Sequence, residues 1–351
     1  MKKNVLFLLL FLLLSVTYGQ IPPYYYSAAE GKKQNELKIA LSEIISNDYI
    51  QRTYSDLWTD FNTTDARADG KVWDMYSNCT FTFGDDQDKG GAAPSECICY
   101  NREHSIPNSW FGGTNYPMYS DLFHLYPTDK YVNAERADYP YGETNNPVKT
   151  YENGSKKGNG ASESGYTGMI FEPTDEYKGD FARTYFYMAT RYLNINFTQN
   201  SAGGITFTYG NSTCDLTDYA INLFLKWHRN DVVGQKEMSR NNAVYGIQNN
   251  RNPFIDYPEL VEHIWGNLQD VAWKPNIGIS NHEEKSNIRI SKNHNGIYID
   301  GAAPDAKIDI YSVVGQHVLC TSLNHNFISL EHLNKGVYII KIGDYAGKIV
   351  W

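Results

Sequence analysis

The chain has 351 residues, 41% of them hydrophobic and 14% aromatic, with 28 tyrosines and a formal charge of −9. That length allows two domains and a substantial core. The acidic balance excludes a protein that coats nucleic acid by bulk electrostatics, because neutralising phosphate over a whole surface needs an excess of Lys and Arg.

Met1-Lys2-Lys3, the apolar run Val5–Leu14 and the exit Thr17-Tyr18-Gly19 have the three-part layout of a secretory signal peptide. Residues 1–19 are therefore set aside, and the mature chain is expected to begin near Gln20. The run is short for a membrane span, and no later stretch approaches that length. Export would permit disulfides among the five cysteines. Cys79, Cys97 and Cys99 lie close together, so one bridge is expected from Cys79 to either Cys97 or Cys99; spacing alone leaves the choice open.

Leu37, Leu41, Ile44 and Ile45 recur at helical spacing and predict an amphipathic helix over 34–47. Two dense runs of unusual residues follow, Cys97–Phe111 and Asp121–Arg136. In the second, Pro127-Thr128-Asp129 reads as a helix start, placing Asn133 in the first turns and Arg136 one turn further. Residues 151–168 read as a turn-rich loop without regular structure. Phe181, Thr184, Tyr185, Met188 and Tyr192 predict a helix over about 179–193. Ala220, Leu223, Phe224 and Trp227 predict another, capped by Asp215 or Thr217.

After Trp265-Gly266 the texture changes. Residues 269–286 read as a linker, and short alternating strands follow at Lys307–Tyr311, His317–Cys320, Asn326–Leu330, Gly336–Ile342 and Lys348–Val350. The expected fold class is α+β: a mixed domain over 20–268, then a small β-sandwich over 287–351.

The chemistry of the two dense runs suits phosphodiester hydrolysis, which needs an activated water, a Lewis acid and a cation that holds phosphate. Glu103 offers an anionic hard oxygen and Asn133 a neutral one, a pair that suits Mg²⁺ completed by water and phosphate. His104, with an ordinary pKa near neutrality, suits a general base. Successive strand residues face opposite sides, so Glu103 and His104 share a site only at a strand end or distorted turn. Pro107 and Gly112-Gly113 make such irregularity credible. His228 and His263 read as packed histidines, and Arg251 with Asp256 as the tie of a structural loop. A zinc site of Cys79, Cys97, Cys99 and His104 would need a one-residue ligand spacing that is unusual for structural zinc.

The runs Asp69–Ser77, Phe81–Gly84 with Asp86-Gln87, Asn101–Phe111, Asp121–Asn133 and Tyr139–Gly142 belong to one pattern. It continues through Phe171–Pro173, Lys178–Met188, Trp227-His228 and Gln248–Asp256. Over nearly all of 22–268 this pattern resembles the endonuclease I family of His-Me finger (ββα-metal) nucleases. The resemblance implies a ββα-metal core with several added helices. It makes His104 the general base and Glu103 and Asn133 the ligands of one divalent cation, Mg²⁺ or another such as Mn²⁺ or Ca²⁺. Arg102, Arg136 and Arg183 become the candidates for holding phosphate, although Arg183, inside an apolar helix, could instead satisfy a buried carboxylate. The implied activity is a secreted, nonspecific endonuclease acting on DNA, with RNA as a further substrate, through phosphate-backbone contacts, giving 5′-phosphate products from a monomer. Where the family usually has His, this chain has Phe123, beside a retained His124.

Ile308–Gln316, Ile328–Leu330 and Leu333–Ile342 resemble the sorting domain of type IX secretion over roughly 286–351. That implies export through the periplasm to the medium or cell surface by the type IX machinery. The sorting family usually ends on a basic residue or two; here Lys348 is followed by Ile349-Val350-Trp351. A reading from another class is a noncatalytic extracellular binding module in which the same residues form a metal-stabilised loop network. Plasmid nicking with and without chelator separates the two.

Overall fold

The apolar repeat near the N-terminus folds as helix α1 (Gln34–Ser46), which buries Leu37, Leu41 and Ile45. The computed structural model describes residues 21–275, 288–292, 295–312, 315–323, 326–343 and 345–351. The expected signal peptide and residues 276–286 of the expected linker lie outside the described residues. The chain divides into two units, Met1–Pro275 and Asn276–Trp351. Among the described residues no helix is long and apolar enough to cross a membrane.

In the first unit, helix α2 (Leu57–Thr64) leads into a long irregular stretch. Strands β1 (Tyr100–His104) and β2 (Leu125–Asp129) then pair antiparallel, and β2 runs directly into helix α3 (Lys130–Arg136). Pro127 lies within β2 and does not open the helix. The cap is Asp129, whose Oδ1 accepts the N–H groups of Tyr131 and Val132 at 2.8 and 3.0 Å, satisfying donors that a helix start leaves unpaired.

A three-stranded sheet follows, β3 (Asn146–Thr150), β4 (Lys156–Asn159) and β5 (Met169–Glu172), with β4 in the middle. The expectation of a structureless loop over 151–168 is thereby overturned. Gly158 explains the misreading. A Cβ there would lie 2.8 Å from Thr144 Oγ1 and 2.9 Å from Pro147 Cα, so this glycine permits close strand approach and does not mark a break.

Helix α4 (Lys178–Arg191) runs through the centre, with all 14 residues buried. It packs against α1, the short helix α8 (Pro253–Asp256) and helix α6 (Asp218–Asn230). Between α4 and α6 come a short helix α5 (Gly203–Thr206) and the hairpin β6 (Phe207–Gly210) and β7 (Thr213–Leu216). Thr217 caps α6, its Oγ1 accepting Ala220 N–H at 3.2 Å. Asp215 is engaged elsewhere, with Lys38 Nζ and Trp265 Nε1, each at 2.9 Å. Helices α7 (Gln235–Gln248) and α9 (Leu260–Ile264) complete the unit.

The linker does not begin at 269. Trp273 is fully buried, donates its N–H to Lys32 O at 2.7 Å and accepts Gly31 N–H at 2.7 Å. Residues 269–275 therefore close the first unit, because withdrawing this indole would open a cavity against the Tyr257 ring, 5.3 Å away between centroids, and break its bond to Glu259.

In the second unit two strands precede the expected set: β8 (Arg289–Lys292) and β9 (Gly296–Asp300). After them come β10 (Lys307–Ser312), β11 (His317–Ser322), β12 (Phe327–Ser329), β13 (Val337–Ile342) and β14 (Tyr345–Val350). They form two antiparallel sheets, β11-β10-β13-β14 and β12-β9-β8. Inward residues of both, Ile297, Ile299, Ile308, Ile310, Ile328, Ile340 and Ile342, share one core, as alternation in a sandwich requires. Trp351 joins that core, and its N–H donates to Gly336 O at 2.8 Å. The apolar C-terminus is thus a packed strand end. Taken together, the elements make an α+β fold.

Candidate active site

Strand β1, strand β2 and helix α3 form a compact ββα unit, and alternation along β1 divides its side chains between two sides. Asn101 and Glu103 turn toward α3. Asn133 Nδ2 donates to Asn101 Oδ1 at 2.8 Å, and Arg136 Nη1 lies 3.2 Å from Glu103 Oε1. Tyr76 donates its hydroxyl to the same Glu103 oxygen at 2.9 Å, and its oxygen lies 2.7 Å from that of Tyr141. Glu103 Oε2 and Asn133 Oδ1 have no hydrogen-bond partner among the described residues, and neither is a sealed buried atom. One carboxylate and one amide oxygen are therefore free for a hard cation. Burial pushes the Glu103 carboxyl up to about 7, with Arg136 and the Tyr76 hydroxyl pulling the other way.

His104 ends the strand and turns to the other side. Its ring stacks on Tyr119 at 5.1 Å and Tyr54 at 5.6 Å and approaches His124 at 5.4 Å. Its Nε2 lies 3.1 Å from Tyr119 O. A carbonyl only accepts, so the proton sits on Nε2 and Nδ1 carries the lone pair. Burial, then His124 and the nearby arginines, hold the imidazole well below its ordinary pKa, so it stands neutral and able to accept a proton. His124 is arranged alike, with Nε2 2.6 Å from Met118 O, but its Nδ1 is buried without a partner.

The three arginines fare differently. Arg102 shares the His104 side of β1, its guanidinium 3.6 Å over the Tyr54 ring and 4.2 Å over Trp58, with Nη1 donating to Tyr54 O at 2.6 Å. No carboxylate stands within ion-pair distance of it among the described residues. Arg136 is buried, and besides Glu103 it donates to His104 O at 3.2 Å and Ser105 O at 2.7 Å. As a phosphate holder it is corrected to a brace between α3 and β1. Arg183 is corrected as well. It is fully buried in α4, bonded to Glu237 Oε1 and Oε2 at 2.5 and 2.6 Å and to Asp231 O at 2.7 Å, the buried-carboxylate alternative.

The bridge joins Cys79 to Cys97, and Cys99 is free. This removes two ligands from the zinc alternative. Cys97 N–H donates to Asp129 Oδ2 at 2.7 Å, so the bridged loop is tied to the cap of α3. Phe123, where the family pattern has His, is buried against Tyr187 at 4.6 Å between ring centroids. His228 packs in the interior 3.4 Å from Arg183, and Arg251 holds Asp256 through two bonds of 2.6 and 2.7 Å. The supporting tyrosines 54, 76, 119 and 141 were not singled out from sequence. Tyr76 and Tyr141 fall within the runs Asp69–Ser77 and Tyr139–Gly142, which give them no role, and for Tyr54 and Tyr119 the only signal is the high tyrosine count.

Comparison with known proteins identifies the family. The profile of the endonuclease I family matches residues 33–259, and that of the secretion system C-terminal sorting domain matches 299–350. The chain is 31% identical over 252 residues to an extracellular ribonuclease of Bacillus subtilis, covering 69% of this chain and 78% of the relative. An extracellular ribonuclease of Bacillus amyloliquefaciens is 32% identical over the same shares. An endonuclease-1 of Buchnera aphidicola is 27% identical over 136 residues, covering 39% of this chain and 44% of that one. The endonuclease I family generally uses a divalent metal ion. The chain belongs to the endonuclease I family of nucleases, as a secreted or cell-surface phosphodiester hydrolase with a type IX sorting domain at its C-terminal end.

Proposed function

We propose that the protein is a sugar-nonspecific endonuclease that hydrolyses DNA and RNA to 5′-phosphate ends, with His104 as general base. The observation that carries this reading is the His104 ring: one nitrogen committed to Tyr119 O, the other unpartnered and not sealed from solvent. Nδ1 takes the proton of the attacking water while the Nε2–H bond keeps the ring in plane. Arg102, the cation on the same side of β1, meets a substrate phosphate. Glu103 Oε2 and Asn133 Oδ1, on the opposite side of β1 from His104, would hold the divalent cation, Mg²⁺ first among candidates. A phosphate would meet both sides only at the strand end, where His104 is the last residue. When bound, the cation supplies Lewis acidity that stabilises charge on the phosphate oxygens in the transition state.

Contacts of this kind read phosphate and not bases or the 2′-hydroxyl, which supports action on both nucleic acids. Relatives named as ribonucleases and as endonucleases agree with that breadth. The C-terminal unit would direct the chain through the periplasm to the type IX machinery, leaving the first unit to carry the chemistry.

The test is digestion of supercoiled plasmid and of single-stranded RNA, with and without chelator, followed by end analysis. Cleavage of both, abolished by chelator and restored by Mg²⁺, with 5′-phosphate ends, is expected. Chelator-resistant cleavage or 3′-phosphate ends would overturn the mechanism; inactivity on one polymer would overturn the breadth.

A further inference from the structure

Strand β11 is irregular at one point. Ile310 pairs with Leu319, but the next residue, Tyr311, pairs with His317, so Val318 is an extra residue on that strand. In a regular strand residues 317 and 320 would point to opposite faces. The bulge reverses that parity and brings His317 to the face that carries Cys320. Cys320 is the direct cross-strand partner of Asp309, and His317 Nε2 lies 2.8 Å from Asp309 Oδ1. A carboxylate oxygen, an imidazole nitrogen and a thiol sulfur thus lie within 4.8 Å of one another. Ile308 and Ile310, on the other face of β10, are buried in the core, while His317 and Cys320 are exposed.

We propose that Asp309, His317 and Cys320 form a binding site for a zinc-class divalent cation, independent of the nuclease site. Sulfur, nitrogen and oxygen are the donor set Zn²⁺ accepts at four-coordination, with water in the fourth position. A thiolate donor disfavours Mg²⁺ and Ca²⁺, which take oxygen ligands. Zinc bond lengths place neighbouring ligand atoms roughly 3.4–3.7 Å apart, a distance side-chain rotation reaches from the present arrangement. Two neighbours prepare the donors. Lys307 Nζ lies 2.9 Å from Asp309 Oδ2 and leaves Oδ1 to the metal, while Tyr311 packs on the His317 ring at 4.9 Å. Binding releases the Cys320 thiol proton to solvent, shifts the His317 ring proton from Nε2 to Nδ1 by exchange with water, and replaces the Asp309–His317 hydrogen bond with two metal bonds. Since β11 is an edge strand of its sheet, the ion would staple that edge to β10 across its bulge.

The test uses the full chain titrated with Co²⁺. A near-ultraviolet thiolate-to-cobalt charge-transfer band, with the visible bands of tetrahedral cobalt, is expected. The nuclease site, built from oxygens, gives no such band. Cys320→Ser should abolish it, Cys99→Ser should leave it, and His317→Asn or Asp309→Asn should weaken binding about tenfold or more. Absence of the band, or its persistence in Cys320→Ser, overturns the site. A second measurement is independent of any variant's folding. Alkylation of Cys320, followed by peptide mass spectrometry, should slow about tenfold with stoichiometric Zn²⁺, since a metal-bound thiolate is shielded. An unchanged rate overturns the proposal.

Discussion

Glu103 Oε1 meets Arg136 Nη1 at 3.2 Å, and both side chains are almost wholly buried. The same guanidinium braces the carbonyls of His104 and Ser105, so one cation sets α3 against the end of β1. Arg136→Met leaves a buried carboxylate supported only by the Tyr76 hydroxyl. It is expected to destabilise the fold by about 3–5 kcal/mol, read as a lower urea midpoint at unchanged slope. A loss under about 1 kcal/mol, the scale of a surface pair, would deny it that bracing role.

His104→Ala should lower kcat by about 10²–10⁴-fold. The half-activating Mg²⁺ concentration should move little, because neither proposed ligand oxygen belongs to this ring. A variant within a few-fold of the parent removes His104 from the mechanism.

Glu103→Gln and Asn133→Ala should each raise the half-activating Mg²⁺ concentration and lower the maximal rate. Two protein oxygens offer a hard cation little redundancy, and the Glu103 change also removes the negative charge. That change disturbs Arg136 as well, so Asn133→Ala, which leaves the ion pair intact, is the cleaner reading. An unchanged Mg²⁺ dependence in Asn133→Ala would falsify its role as a ligand.

Asp74 gives a pH signature away from the metal. Burial pushes its carboxyl up to about 7, against hydrogen bonds from Ser77 and from Tyr76 N–H at 2.8 Å. Its unfolded value is about 3.9. A raised folded pKa contributes stability that is full below the unfolded value and is lost as pH rises through the folded one. Urea denaturation from pH 4 to pH 8 should therefore show Asp74→Asn gaining on the parent as pH rises. Parallel profiles would show that this carboxyl does not titrate on folding.

The boundary at Pro275 is testable by truncation. A fragment of residues 21–275 should fold and cut nucleic acid. One ending at residue 268 lacks the Trp273 indole and should lose about 3–5 kcal/mol, the scale of emptying an aromatic site. Equal stability of the two fragments would return 269–275 to the linker.

Where the sequence was legible, a short-range rule was sufficient. Periodicity located α1, α4 and α6, and the run from Asn101 to Asn133 marked the strand and helix that carry Glu103, His104 and Asn133. It failed where distant contacts decide. The apolar helix around Arg183 points to a buried carboxylate, but nothing local identifies it as Glu237, 54 positions away, or shows that Arg102 is left without one. Gly158 and its neighbours read as turns because the strands that flank β4 are not visible from within 151–168. Strands β8 and β9 are hidden in the sequence because they are short and bordered by polar residues, and Ile297 and Ile299 are recognised as inward only by the core they share with the facing sheet. Trp273 looked like linker because its partner backbone lies at residues 31 and 32.

The carbonyl of Tyr119 behind His104 has a consequence for how a turnover would end. A carboxylate in that place could share the positive charge of a protonated ring; an amide carbonyl can orient the ring but cannot take its proton. The imidazole therefore has one door. A proton gained at Nδ1 has no relay inward and must leave by the same nitrogen, toward the solvent, since in-line attack sets the departing oxygen on the far side of the phosphorus. The burial that keeps the ring neutral also makes its charged form short-lived, so the base resets itself without a second residue behind it.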